Sequence, residues 1–132
     1  MRIVLFLALF SIAALCADAY DAAREYAKFY KKALPLRTSP NLVLNDLLNV
    51  ADRLLYRYGV NDTKQTWISK FTSRQLEAFA AQVRKQNLAQ ICADPDALAI
   101  LNAKITMDQV FYLADGGRLL FSYEIKAADC KK

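Results

Sequence analysis

The chain has no histidine among its 132 residues, and this absence removes much of the usual hydrolytic and metal chemistry. Ser-His-Asp triads and Cys-His pairs need an imidazole to take the nucleophile's proton. Histidine metal sites are excluded with them. The three glycines, Gly59, Gly116 and Gly117, stand alone or in a turn, so no loop is built to cradle a phosphate. No acidic twelve-residue calcium loop is written into the chain either.

Paired carboxylates are the remaining hydrolytic device. The glutamates are Glu25, Glu77 and Glu124, and each falls on a polar face of its expected element. Asp94 and Asp96 flank Pro95, where capping explains the first and helix-dipole complementarity the second. The sequence therefore reads as a non-enzyme that needs no cofactor and no metal, with a carboxylate-dependent hydrolase as the last-ranked alternative.

Cysteine and aromatic chemistry point elsewhere. Cys92 and Cys130 have no base to activate a thiolate, and in an oxidising compartment they form an even pair expected to bond. Tyr26, Phe29, Tyr30, Tyr58, Trp67 and Phe71 belong to an aromatic set whose ordinary use is core packing. Their functional use would be to line a pocket for an apolar ligand, with tyrosine hydroxyls as its polar tips. Asn61-Asp62-Thr63 is an N-glycosylation sequon placed in an expected turn.

The oxidising compartment follows from the N-terminus. Arg2, an apolar run from Ile3 to Leu15 and then small residues make an export signal over 1–16. The run is shorter than the roughly 20 apolar residues that cross a bilayer as a helix. Cleavage after Cys16 fits the small-x-small rule, and cleavage after Ala19 fits it too; a lipoprotein reading of Cys16 is disfavoured by Leu15. Residues 17–132 then form a single secreted globular domain, of ordinary size for one core. Its net charge of about +4 comes from bases scattered along the chain, without the concentrated basic face of a nucleic-acid binder.

Periodicity predicts a mainly helical N-terminal part of about four helices. The first covers Asp21 to about Leu34, with Ala22, Tyr26, Phe29 and Ala33 on one stripe and Leu34-Pro35 as its stop. The second runs from an N-cap at Ser39 to Gly59, with Val43, Leu44, Leu47, Leu48, Ala51, Leu54, Leu55 and Tyr58 as its apolar face. A short helical stretch carries Trp67, Ile68 and Phe71. Thr72 and Gln75 form a capping box for a further helix that bends near Asn87. Asp94-Pro95 starts a brief one through Leu101.

Near Ile105 the pattern changes. Arg118 to Lys126 alternates in strand fashion, and Asp115-Gly116-Gly117 separates it from Val110-Phe111-Tyr112-Leu113 as a hairpin turn. The competing reading makes Thr106 a helix N-cap and ends that helix at Gly116. The expected fold is α+β, helices first and a small C-terminal antiparallel hairpin last, with one disulfide. The expected function is a small secreted binding protein for an apolar ligand or a protein surface; a secreted surface-acting factor without a pocket is the rival.

Overall fold

A computed structural model describes residues 19–131; the export signal expected over 1–16 lies outside the described residues. The chain runs through helix α1 (Ala19–Lys31) and strands β1 (Leu36–Ser39), β2 (Leu42–Val50) and β3 (Arg53–Val60). A 3-10 turn (Ile68–Lys70), α2 (Ser73–Ala93) and α3 (Pro95–Asn102) follow. Strands β4 (Thr106–Leu113) and β5 (Leu119–Ile125) and a last 3-10 turn (Ala127–Cys130) complete it. The strands form one five-stranded sheet in chain order. Neighbours are antiparallel except β3 and β4, which run parallel from Arg53↔Thr106 to Val60↔Leu113. A parallel pair needs a long crossover, and α2 with α3 supplies it.

This architecture corrects the expected one. The helix expected from Ser39 to Gly59 is a β-hairpin, β2 and β3, turning at Ala51, whose φ is 56°. A bulge between Leu44 and Asp46 misled the periodicity. Strand residues of one face normally sit two apart, but one extra residue sets buried Leu44 and Leu47 three apart, as in a helix. Leu48 and Leu55, paired across the hairpin on its other face, filled in the rest of the apparent stripe. The helices therefore stand before and within the sheet, and the β4–β5 hairpin is its second half.

Other local signals hold. Thr72 Oγ1 accepts the Gln75 N–H at 3.2 Å and Gln75 Oε1 accepts the Thr72 N–H at 2.9 Å, closing the capping box of α2. That helix continues past Asn87 without interruption, and Asn87 Nδ2 donates to the Tyr123 hydroxyl at 2.8 Å. Asp94 Oδ1 accepts the Asp96 N–H at 3.0 Å ahead of Pro95, so α3 starts where cap and proline place it. Thr106 opens strand β4 rather than a helix, with Met107, Gln109 and Phe111 buried at every second position. Gly116 and Gly117 take φ of 87° and 70° in the β4–β5 turn, a region that glycine enters freely.

All three α-helices described lie on one face of the sheet. Ala23 and Ala27 of α1, with Ala97, Ile100 and Leu101 of α3, bury against Leu44, Leu47, Leu54, Met107 and Ile125. A second cluster gathers Val60, Ile68, Phe111 and Leu120, with Trp67, Phe71 and Phe79 packed on it. Cys92 at the end of α2 is bonded to Cys130 after β5, with the two Cα atoms 5.4 Å apart, as expected from the cysteine count. Among the described residues no helix is long and apolar enough to cross a membrane.

Candidate functional site

Because the helices cover one side only, the other face of the sheet is left without a layer. Strand alternation assigns Arg53, Leu55, Arg57 and Gly59 of β3 to it, beside Thr106, Asp108, Val110 and Tyr112 of β4. β2 adds Leu48 and Val50, and β5 adds Leu119, Ser122 and Glu124. Leu48, Leu55 and Val110 are half-buried by their neighbours, while Val50 and Leu119 are exposed at 56% and 55%. The result is an apolar band across the strands.

Polar groups close the band at both ends. At one end Arg53 Nη1 reaches Asp108 Oδ1 at 2.8 Å and Glu124 Oε2 at 2.7 Å, tying β3, β4 and β5 together. The Arg53 guanidinium holds the Glu124 carboxyl below the usual glutamate range, by hydrogen bond first and charge second. Both partners are well exposed, so the pair adds little to stability. At the other end the exposed Arg57 guanidinium lies 4.9 Å over the Tyr112 ring.

A cleft of about 330 Å³ opens beside that pair, between the β2 bulge and the β4–β5 turn. Asn45 and Asp46 of the bulge line it on one side, Tyr112 and Gly117 on the other, and Gly59 and Arg57 sit between. Lys31 at the end of α1 reaches Asp46 at 3.6 Å. The cleft thus offers a cation, a carboxylate and an amide at the edge of an apolar surface. That set can orient a ligand but contains no nucleophile paired with a base. No group of three metal-ligating side chains occurs among the described residues.

The aromatic residues singled out from the sequence fall into separate places. Tyr26 and Tyr30 meet at 4.5 Å between ring centres, and Phe29 meets Tyr30 at 5.0 Å, all on α1. Tyr26 is shielded from water enough to push its phenol up to about 12, and its hydroxyl lies 3.4 Å from that of Tyr56. Trp67 packs edge-on against Phe71 and Phe79 at the far cluster, and its indole N–H donates to the Asn61 carbonyl at 3.0 Å. Tyr58 stacks on Phe111 at 4.7 Å, touches both core clusters and alone of the six lines the cleft. Asn61 itself is exposed just after β3.

Arg57 and Tyr112 were not legible as site residues. The apparent helix from Ser39 to Gly59 concealed the strand that carries Arg57, so Tyr112, read in an arm of the C-terminal hairpin, had no β3 partner.

No family model matches the chain, and no curated protein matches it. Solved structures share its fold. A candidate secreted protein from Pseudomonas aeruginosa superposes with a TM-score of 0.71 at 12% identity, covering 86% of this chain and 93% of the other. The type II secretion system pilotin of Vibrio vulnificus gives 0.68 at 15% identity over 86% and 93%. The type II secretion system pilotin of Vibrio cholerae gives 0.64 at 15% identity over 85% and 92%. At such identities the likeness is one of fold.

Proposed function

We propose that this chain is an exported, non-enzymatic binding protein that docks a segment of another protein on its open sheet face. The observation that carries the reading is the uncovered band of Leu48, Leu55 and Val110, ending at Arg57 and the cleft. The partner segment would place apolar side chains on the band and a carboxylate on Arg57. A protein partner is favoured over an apolar small molecule because the cleft is open and lined by Asn45, Asp46 and Arg57. The shared fold of two proteins named as pilotins supports a role inside a larger assembly.

Site-specific photocrosslinking in the producing cell tests it. A benzophenone amino acid at Leu55 or Val110 is expected to give a discrete protein adduct, and one at exposed Glu77 on α2 none. No adduct from the sheet positions, or the same adducts from all three, overturns the reading.

A further inference from the structure

The helix layer carries a different exposed feature at the C-terminal end of α1. Among the described residues, Phe29, Tyr30 and Leu36 are large hydrophobic side chains left exposed, Phe29 at 70%. They lie within one short stretch of chain. Helix geometry explains Phe29. At about 100° per residue it stands roughly 120° off the direction of Ala23, so α1 cannot bury both Ala23 and Phe29 against the sheet. Its ring contacts Tyr30 edge to face at 5.0 Å, and Leu36 opens β1, a short edge strand exposed throughout.

Cations surround this apolar tip. Lys28, Lys31, Lys32 and Arg37 are all exposed. Lys31 leans to Asp46, and Arg37 donates to the Pro40 carbonyl at 2.7 Å. Lys28 and Lys32 enter no ion pair among the described residues. The opposing charges nearby are Asp46, paired with Lys31, Glu25 on the same helix, and Asp94 and Asp96, which bear on Tyr30. A protruding aromatic ring between unpaired lysines matches the boundary of an anionic bilayer. There the ring leaves water among headgroups and the ammonium groups meet phosphate.

We infer that the end of α1, with Leu36 of β1, is a peripheral contact for an anionic lipid surface, Phe29 entering the headgroups and Lys28 and Lys32 meeting lipid phosphates. This contact lies at the C-terminal end of α1, where Lys31 reaches Asp46 at the rim of the cleft.

Vesicle flotation of the exported protein, with its disulfide intact, tests the contact. Vesicles containing phosphatidylglycerol are expected to carry the protein, those of phosphatidylcholine alone to leave it behind, and added salt to release it. Phe29→Ser and the double variant Lys28→Glu/Lys32→Glu should each lower bound protein about tenfold. Lys64→Glu/Lys85→Glu, with the same change of net charge elsewhere on the surface, should bind as the native chain does. Circular dichroism confirms that each variant is folded, as expected for exposed positions. The contact is overturned by equal flotation on neutral vesicles, by an equal loss in the Lys64/Lys85 variant, or by undiminished binding of Phe29→Ser. Self-association or capture of protein through Phe29, without vesicle binding, counts against it as well.

Discussion

The side-chain amide of Asn45 lies over Gly59 so closely that a Cβ at that glycine would stand 2.7 Å from Asn45 Nδ2. The glycine sits inside strand β3, where close approach, not a left-handed turn, is the reason for it. The β2 bulge presents Asn45, and the space between bulge and strand becomes the cleft.

Replacing Gly59 with alanine sets two small effects against each other. The unfolded chain loses freedom, which stabilises by about 0.4–1 kcal/mol, while the Asn45 side chain must swing aside. Because the obstacle is the end of an exposed side chain, chemical denaturation should show a net change below about 1 kcal/mol. In an Asn45→Ala background the same substitution should become stabilising. A loss of several kcal/mol in both backgrounds would mean that the strand, and not Asn45, cannot accommodate a methyl group.

Phe111 joins the sheet to the far cluster. It is buried to 2% exposure and stacks on Tyr58 at 4.7 Å and on Phe121 at 4.5 Å. Phe111→Ala should cost about 3–5 kcal/mol by urea unfolding. Against a usual total of about 5–15 kcal/mol, that removes a fifth or more of the stability and, at the low end of the range, leaves the domain marginal at room temperature.

The Cys92–Cys130 bond spans a sequence separation of 38 residues. Closing such a loop in the unfolded chain is worth about 4 kcal/mol on the chain-entropy estimate. A Cys92→Ser/Cys130→Ser variant should lose that amount by denaturant titration. Unchanged stability would show that the unfolded chain is already held compact in this region.

Asp62 is the buried carboxylate of the turn after β3. Desolvation raises its pKa, but the backbone N–H groups of Ser69, Thr66 and Trp67 outweigh that and hold it at about 2. The unfolded value is near 3.8, so between the two the unfolded chain binds more protons and stability rises with pH. The Asp62 contribution is present above about pH 4 and is lost as pH falls toward 2. Unfolding midpoints measured across that window should flatten in Asp62→Asn. An unaltered slope would assign the acid sensitivity to other carboxylates, such as Glu124, whose pKa is also lowered.

Much of the local structure was legible in single residues. Thr72 with Gln75, Asp94 with Pro95, and Asp115-Gly116-Gly117 each act within a few residues, where side chain and backbone meet without help from the rest of the chain. Cys92 and Cys130 were paired by count and compartment. The run from Leu42 to Val60 was not legible. Its apolar residues face both ways, and the bulge at Asn45 and Asp46 gave a two-residue repeat the spacing of a helical one. With β3 formed and paired in parallel with β4, Arg57 and Tyr112 become neighbours, although they are far apart in the chain.

By itself the sequence determined the caps at Thr72 and Asp94, the Asp115-Gly116-Gly117 turn, the disulfide and the lack of a histidine-based centre, because these depend on residue type and short range. Only the tertiary structure decided which segments became strands, which face the helices covered and where the cleft opened. A strand is stable only against its neighbours, and the β3–β4 pairing joins segments about fifty residues apart that carry no mark of one another.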